Sequence, residues 1–269
     1  MPELPEIETI RRDLEKSLTG DTASQIKVLD ERLLSKKEVA RWTSIVKGQQ
    51  WIEFGRQGKY LFATLANGWR AGFHMRMTGQ LVVSRGDYSE KPRMLIHFVS
   101  GLTLGLYDQR RFAEVWLLAP GQSWHSTAVP GPDALNDLKL DHFINLVKGR
   151  STRIQPLLMD QKLIAGVGNI YAQEALFKAA IRPTRAGNRI TQVEAARLFE
   201  TLRETLETAI TYRGSSSRNY RDANGDQGSA QTLHAVYRKG GKPCPVCQTP
   251  LRSTRVGGRG SVFCPQCQK

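Results

Sequence analysis

The first residues that could do chemistry stand at the start of the chain, where Met1 precedes Pro2 and Glu3. Removal of Met1 is expected before a residue as small as proline, and it would leave Pro2 with a free secondary amine. An α-amino group has a pKa of about 7.7–8.0, so a useful fraction is unprotonated and nucleophilic near neutral pH. Such an amine could form an iminium with an electrophilic carbon, with Glu3 as a proton donor. Alternatively, Pro2 merely follows a start methionine and opens a helix.

The four cysteines form a second candidate site. Cys244 and Cys247 make one C-x2-C pair, Cys264 and Cys267 make another, and 16 residues separate the pairs. This spacing is typical of a tetrahedral zinc ribbon, in which all four ligands come from the protein and no position is left for a catalytic water. We therefore predict one structural Zn2+, which supplies folding energy to a hairpin too small to build its own core. Two disulfides are the alternative, disfavoured because the sequence shows no secretion signal.

Two glycine-containing segments are candidates for phosphate binding. In Gly257-Gly258-Arg259-Gly260 the glycines would let the backbone approach a phosphate while the guanidinium of Arg259 binds it. The turn Gly166-Val167-Gly168-Asn169 would present backbone N–H groups at the start of a helix, which suits an anion. A tight turn with a solvated arginine is the alternative for the first segment, and Gly-x-Gly turns are common without a ligand.

Two further segments combine arginine with large apolar side chains. They are His74-Met75-Arg76-Met77-Thr78-Gly79 and Asp108-Gln109-Arg110-Arg111-Phe112. Met77 and Phe112, displayed beside arginine, could wedge into a base stack and fill the gap left by an extruded base. The competing interpretation is that these side chains belong to the hydrophobic core.

The charge of the chain favours a polyanionic partner. Its 39 Lys and Arg against 25 Asp and Glu give a net charge of +14, and no block of five or more like charges occurs. A folded basic surface of this kind indicates nucleic acid, although a generically basic protein is possible. The apolar runs are shorter than the roughly 18 residues of a membrane span, and no signal peptide is evident, so we expect a cytoplasmic protein. The absence of Walker-type and dinucleotide-binding glycine motifs argues against a nucleotide cofactor.

Periodicity predicts an α+β fold. Residues 3–18 read as an amphipathic helix that would hold the chain start in place, and residues 24–119 read as strands of an antiparallel β-sandwich, with a hairpin at Asn67-Gly68. A helical domain follows, in which Gly166 and Gly168 end one helix and Asn169 opens another. Thr191 and Glu194 form a capping box for a long last helix.

These patterns predict the domain boundaries. Residues 2–120 form the N-terminal β-sandwich domain, residues 121–137 a linker, residues 138–232 the helical domain and residues 233–269 a β-hairpin zinc ribbon. Within the helical domain, the polar, glycine-containing residues 214–231 are expected to be a functional or disordered loop.

The motifs together resemble the formamidopyrimidine-DNA glycosylase family over essentially the whole chain. The resemblance is carried by residues 1–6, 74–79, 108–112 and 166–172 and by the zinc ribbon, which occur in family order. It implies a helix–two-turns–helix element in the helical domain and assigns the β-sandwich the catalytic role. The related endonuclease VIII branch, which prefers oxidised pyrimidines, typically has glycine at the position of Leu4, so Leu4 favours the purine branch.

The resemblance also implies a reaction and residues that perform it. The chain would be a bifunctional DNA glycosylase and abasic-site lyase of base excision repair, in which Pro2 attacks C1′ of the damaged nucleotide and Glu3 and Glu6 assist. Lys59 would serve β-elimination, and Arg259 phosphate binding and δ-elimination. The DNA-binding residues carried over from the family are His74, Met77, Lys91, Arg110, Phe112, Arg150 and Asn169. Residues 214–231 would cover the flipped base.

The partner implied is double-stranded DNA with oxidised bases or abasic sites, bound in a basic cleft by a monomeric, nucleoid-associated enzyme. Two alternatives stay open. One is an endonuclease VIII-like glycosylase for oxidised pyrimidines, and the other is a damaged-DNA-binding protein without catalysis.

Four departures from the family pattern qualify the resemblance. Gln155 stands where Ile-Lys-Pro usually has lysine, and Lys91 lies where a histidine is common. Ser229-Ala230 replaces aromatic residues late in the loop, and Gln173 replaces a more usual acidic residue. The first three lie at positions that the resemblance assigns to phosphate contacts and to the grip on 8-oxoguanine, whereas the sequence suggests no consequence for Gln173.

Overall fold

Helix α1 (Leu4–Leu18) begins three residues from the chain start and packs against the sheet that follows. Its buried face holds Ile7, Ile10, Leu14 and Leu18, as the helical spacing predicts. Pro5 lies in the first turn, where a missing N–H costs nothing. The amphipathic helix predicted over residues 3–18 is therefore present, and its burial holds the chain start in place.

The computed structural model describes residues 1–86, 91–122, 130–216 and 220–269. The chain separates into two compact units, each made of two stretches of sequence. The first unit comprises Met1–Ala128 and Tyr212–Gln231, and the second comprises Val129–Thr211 and Thr232–Lys269. The domain boundaries that the sequence suggests, which place residues 214–231 in the helical domain, stay a prediction.

Eight strands of the first unit form two antiparallel four-stranded sheets. One sheet has the order β1-β6-β7-β5 and the other β2-β3-β4-β8. Their bounds are β1 Ala23–Val28, β2 Trp51–Gln57, β3 Tyr60–Leu65, β4 Arg70–His74, β5 Gln80–Ser84, β6 Met94–Phe98, β7 Thr103–Tyr107 and β8 Glu114–Leu118. Trp51 of one sheet meets Phe98 of the other edge-on, with ring centroids 5.2 Å apart, inside one shared core. The predicted sandwich is thereby confirmed, including the hairpin at Asn67-Gly68, which joins β3 to β4.

One helix interrupts the region in which the sequence predicts only strands. Helix α2 (Lys36–Val46) starts at a capping box in which Glu38 N donates to Ser35 Oγ and Ser35 N donates to Glu38 Oε2. Trp42 and Val46 are its buried residues. The strand prediction was wrong here because the strand-like composition of the surrounding residues outweighed the capping signal of Ser35 and Glu38.

Across the residues of the second unit that the structure describes, four helices and a hairpin form its framework. The helices are α3 Leu140–Lys148, α4 Ile154–Met159, α5 Asn169–Lys178 and α6 Gln192–Thr211, and the hairpin strands are β9 Arg252–Val256 and β10 Arg259–Phe263. Short 3-10 helices occupy Gly187–Arg189 and Ala230–Leu233. The predicted capping box opens α6, where Thr191 N donates to Glu194 Oε2. Among the described residues, no helix combines the length and apolar character that crossing a membrane requires.

The connection before α5 differs from its prediction. Helix α4 ends at Met159, so the chain before Gly166 is a turn and not the helix that Gly166 was expected to end. The side chain of Gln161 stabilises this turn, since Nε2 donates to Val167 O at 2.7 Å and Oε1 accepts from Gly166 N at 3.0 Å. A side chain that satisfies backbone groups in this way removes the need for helical hydrogen bonds.

Candidate active site and nucleic-acid interface

The chain start is held by the carboxylate of Glu6. Its Oε2 accepts from Glu3 N at 2.7 Å, and its Oε1 accepts from Ser215 N at 2.7 Å. Pro2 is buried and Glu3 is 3% exposed, whereas the side chain of Met1 is 48% exposed. The first unit therefore fixes Pro2 and leaves accessible the one residue that must be removed to free its nitrogen.

Segment 212–231 is fastened to the same helix by ion pairs. Arg213 Nη2 lies 2.6 Å from Asp13 Oδ2 and 2.5 Å from Asp222 Oδ2. Burial lowers the pKa of Arg213, but the hydrogen bonds and charges of Asp222 and Asp13 outweigh burial and raise the pKa overall. Val83 N of β5 donates to Ala223 O at 2.7 Å. The described residues of this segment are thus anchored on α1 and β5 within the first unit.

Lys59 lies in the turn between β2 and β3 and is 5% exposed. Arg56 positions this turn, because its Nη1 donates to Gly58 O at 3.1 Å and its Nε donates to Glu8 Oε2 of α1 at 3.0 Å. Burial raises the pKa of Glu8, but hydrogen bonds from Arg11 and Arg12 and the charge of Arg56 outweigh it and lower the pKa overall. A buried ion pair therefore ties the Lys59 turn to the helix that holds Pro2.

His74 ends β4 and stacks on Tyr60, with ring centroids 4.5 Å apart. Burial, and then the charges of Arg76 and Lys59, together lower the pKa of His74 to about 3. The imidazole is consequently neutral at any physiological pH. Among the described residues its Nδ1 has no hydrogen-bond partner. The structure thus brings His74 near Lys59 and leaves one buried ring nitrogen available.

Met77 and Phe112 are on the surface of the first unit. They are 40% and 50% exposed, which excludes the competing interpretation that they are core residues. The guanidinium of Arg110 lies 4.8 Å from the centroid of the Phe112 ring. Exposed apolar side chains next to an arginine fit insertion into a base stack.

Asp108 organises the loop that carries Arg110 and Phe112, a role that sequence reasoning missed. Its buried carboxylate accepts from the backbone N–H groups of Arg110, Phe112 and Ala113 at 3.1, 2.7 and 2.7 Å, and from the hydroxyl of Thr78. Arg93 forms an ion pair with this carboxylate, with Nη1 at 3.6 Å from Asp108 Oδ2. Aspartate two residues before an N–H donor is a familiar turn signal, and it could have suggested this role.

An open cavity of about 530 Å³ lies beside this loop. Arg93 donates there to Asp30 Oδ2 at 2.8 Å. Lys91, Arg111, Asp30 and Glu31 are among the lining residues. Lys91 is exposed, so its side chain is free of the core and faces this mixed-charge surface. The position therefore offers a cation where the family commonly has a histidine.

In the second unit the four cysteines converge as the zinc prediction requires. Their Sγ atoms all lie within 4.8 Å of one another, with Cys244 and Cys267 at 3.9 Å and Cys247 and Cys264 at 3.4 Å. Zn–S bonds of about 2.3 Å in a tetrahedron place sulfur atoms about 3.8 Å apart, so the donor set fits one Zn2+. The four sulfurs would fill every position of a tetrahedral ion and leave none for a catalytic water, so the Zn2+ is structural.

Arg259 is exposed at the start of β10, next to the hairpin tip. Gly257 and Gly258 form the tip with φ of 55° and 73°, a two-residue turn that requires left-handed backbone at both positions. Asn169, the first residue of α5, donates from Nδ2 to Gly260 O at 3.1 Å. Two predicted phosphate-binding residues are thereby brought together in the second unit.

Arg150, a third predicted DNA-binding residue of this unit, follows α3. Its Nη1 donates to Leu146 O of that helix at 3.1 Å.

Three family models match the chain in order. They are the formamidopyrimidine-DNA glycosylase N-terminal domain over residues 1–115, the formamidopyrimidine-DNA glycosylase H2TH domain over residues 130–221, and the zinc finger found in FPG and IleRS over residues 241–269. The formamidopyrimidine-DNA glycosylase of Pelotomaculum thermopropionicum is 36% identical and that of Chloroflexus aurantiacus 38% identical; the alignments cover 100% of this chain and 99% and 98% of those proteins. The chain belongs to the formamidopyrimidine-DNA glycosylase family.

Solved structures of this glycosylase family share the fold. A Lactococcus lactis FPG mutant in complex with DNA containing Fapy-dG matches with a TM-score of 0.92 at 30% identity, covering 100% of both chains. The FPG protein of Thermus thermophilus matches with a TM-score of 0.88 at 36% identity, covering 99% of this chain and 98% of its own. A further Lactococcus lactis complex, with DNA containing an abasic site, has a TM-score of 0.91 at 30% identity and covers 99% of each chain.

Among glycosylase positions that sequence reasoning did not single out, Glu174 of α5 has the clearest structural role. Its carboxylate accepts from the backbone N–H groups of Ala235, Val236 and Tyr237 at 2.7, 3.0 and 2.7 Å. These hydrogen bonds fix the segment that leads into the zinc hairpin. A lone glutamate inside a helix gives no sequence signal of partners some 60 residues away.

Proposed function

We propose that Pro2, once Met1 is removed, is the nucleophile of this bifunctional DNA glycosylase and abasic-site lyase of base excision repair. The observation that carries the proposal is the fixed chain start, in which the Glu6 carboxylate joins Glu3 N to Ser215 N around the buried Pro2. A rigid amine next to a carboxyl group is the arrangement that covalent catalysis at a sugar carbon needs.

The reaction follows from the chemistry of a secondary amine. Pro2 N attacks C1′ and loses its proton, while the bond from C1′ to the base breaks with its electrons leaving on the base, which takes up a proton. The bond from C1′ to the ring oxygen O4′ then breaks with its electrons going to O4′, Glu3 donates a proton to O4′, and the nitrogen lone pair forms the iminium. The resulting iminium acidifies the C2′ proton. Lys59, held against α1 through Arg56 and Glu8, removes that proton as the bond from C3′ to its phosphate oxygen breaks, which is β-elimination. Arg259 binds phosphate and serves the second, δ-elimination.

The substrate is double-stranded DNA that contains oxidised purines or abasic sites. Support comes from the Lactococcus lactis relatives, whose structures contain DNA with Fapy-dG or an abasic site, and from the net charge of +14. Extruding a base costs a few kcal/mol of unstacking, and Met77, Arg110 and Phe112 offset this cost by filling the vacated stack. His74, Lys91, Arg150 and Asn169 hold the backbone, and the enzyme works as a monomer.

The substrate assignment is tested by two duplexes of the same sequence, one with 8-oxoguanine opposite cytosine and one with thymine glycol. We expect faster excision of 8-oxoguanine in single-turnover assays, because Leu4 favours the purine branch. Faster excision of thymine glycol would instead assign the chain to oxidised pyrimidines.

We also propose that the enzyme lies in the cytoplasm on nucleoid DNA, which fluorescence microscopy of a tagged chain can check.

Arg259→Ala is expected to weaken binding to damaged DNA and to reduce the slope of log K against log salt by about one unit, as for one lost phosphate contact. The measurement is a binding titration over a range of salt concentrations. Arg252→Ala is the matched control, since Arg252 is also exposed on the hairpin but lies at its opposite end, paired with Phe263. An unchanged slope for Arg259→Ala would remove this residue from the phosphate contacts.

A further inference from the structure

Gln173 joins helix α5 to the strand that begins with Arg259. Its buried side chain is 2% exposed and lies against β10. Nε2 donates to Gly260 O at 3.2 Å and to Asn169 O at 3.0 Å, while Oε1 accepts from Val262 N at 2.8 Å. Only an amide can make this set, because a carboxylate could accept from Val262 N but could not donate to Gly260 O. The departure from an acidic residue at this position therefore has a structural consequence.

Gln155 determines which way the Asn169 amide points. Its Nε2 donates to Asn169 Oδ1 at 2.9 Å, so Asn169 must present its NH2 group to Gly260 O, to which Nδ2 donates at 3.1 Å. Gln155 is 0% exposed, and among the described residues its Oε1 has no partner. A lysine could also donate to Asn169 Oδ1, but it would place a charge in this buried position.

The hairpin is thus held on both sides of Arg259. On one side Gly260 and Val262 bind the amides of Asn169 and Gln173. On the other side the tip packs against Pro156, the neighbour of Gln155, so closely that a Cβ at Gly257 would lie 3.0 Å from Pro156 Cβ. The backbone that carries the Arg259 guanidinium is consequently fixed relative to the first turn of α5.

We propose that Gln155, Asn169 and Gln173 form an amide clamp that positions Arg259 for phosphate binding and δ-elimination, with Gln155 and Gln173 as positioning residues. The proposal rests on the proposed role of Arg259. The two glutamines act as a pair: one orients Asn169, the other fixes β10, and neither adds a charge that would compete for Arg259 or repel phosphate. Gln155 and Gln173, two of the departures from the family pattern, thus act together in the amide clamp.

The test measures the ratio of δ- to β-elimination product in single-turnover reactions with abasic-site DNA at saturating protein. Gln155→Met removes one hydrogen bond of the clamp and should lower the ratio about 2- to 13-fold, the range expected for one hydrogen bond. Gln173→Met removes three and should lower the ratio at least as much. Gln155→Lys keeps a donor to Asn169 Oδ1 but adds a buried charge, so it should lower the ratio less than Gln155→Met does; an equal fall for the two variants would contradict the orienting hydrogen bond. Combining Gln173→Met with Arg259→Ala should give the ratio of Arg259→Ala alone, because both act through one group.

Gln268→Met is the matched control. Gln268 is another buried glutamine of the second unit, with Nε2 donating to Ile181 O at 2.8 Å and Oε1 accepting from Cys264 N at 2.8 Å. It should lower the free energy of unfolding without changing the product ratio, with zinc content verified for every variant. An equal fall in the ratio for Gln268→Met would show that the glutamine variants act only through the stability of the second unit, and it would overturn the clamp.

The outcomes separate this inference from the function on which it rests. If Arg259→Ala removes the δ-product while both glutamine variants keep the wild-type ratio, Arg259 retains its role and the clamp is refuted. If Arg259→Ala itself leaves the ratio unchanged, the proposed role of Arg259 fails first and the clamp fails with it.

Discussion

Pro2→Gly is expected to slow borohydride trapping of the covalent complex with abasic-site DNA by at least about 100-fold, the cost of misplacing a reacting atom by about 1 Å. Glycine keeps an amine but loses the ring that fixes the nitrogen and makes it secondary. The buried position of Pro2, two residues before α1, depends on that ring, and a glycine nitrogen would not be held in the same place. The trapped complex is quantified as a protein–DNA band of reduced mobility.

Pro5→Ala is the matched control for this experiment. Pro5 also lies at the start of α1, in the first turn, where alanine costs little. This variant should trap at the wild-type rate. A chain that retains Met1 has an amide at Pro2 and should bind DNA without being trapped, and intact-mass spectrometry reports which form is present. Normal trapping by Pro2→Gly would disprove the nucleophile, and absence of trapping in the wild type would favour a DNA-binding protein without catalysis.

Loss of zinc is expected to have the second-largest effect, on both folding and DNA binding. The hydrophobic cluster under the hairpin has four buried residues, Val236, Leu251, Cys244 and Cys264, and two of these four are metal ligands. A two-stranded hairpin is marginal by itself, whereas structural zinc in finger peptides contributes about 10–16 kcal/mol. Cys264→Ser should therefore unfold the hairpin and release Arg259 from its position.

Two measurements check the zinc prediction. Native mass spectrometry should find one zinc per wild-type chain and less in Cys264→Ser. Affinity for damaged DNA should fall about 10- to 100-fold, as expected when hydrogen bonds from a charged group are lost. Chelated wild-type protein that recovers affinity after zinc is added back serves as the control. Native affinity in the metal-free chain would show that the hairpin does not need the ion.

Local patterns predicted the parts of the fold that depend on local physics. The apolar face of α1, the Thr191–Glu194 capping box and the Cys spacing all appear as expected, because each is a short-range rule of hydrogen bonding, burial or ligation. Helix α2 was missed even though Ser35 and Glu38 form the same kind of cap. A capping signal was thus outweighed by the surrounding strand-like composition.

The supporting contacts of the site could not be predicted, since they join distant parts of the chain. Arg93 reaches Asp30 across 63 positions, and Gln173 reaches Gly260 across 87. A polar residue that is expected to be buried needs hydrogen-bond partners, but the sequence does not show which distant residues provide them. The resemblance to a family suggested which residues react, which stays a proposal, and the structure shows which side chains hold those residues in place.

The interleaved composition of the first unit has a consequence for synthesis of the protein on the ribosome. Residues 212–231 complete this unit through Ser215, Arg213 and Ala223, after more than 80 residues of the second unit have been made. The carboxylates of Glu6 and Asp13 can bind Ser215 N and Arg213 only after these two residues have been synthesised. A gene fragment that stops near residue 120 would lack Ser215 and Arg213, so Glu6 would keep Glu3 N but lose Ser215 N, and Asp13 would lose its ion pair. The nascent chain therefore completes its first unit only late in translation.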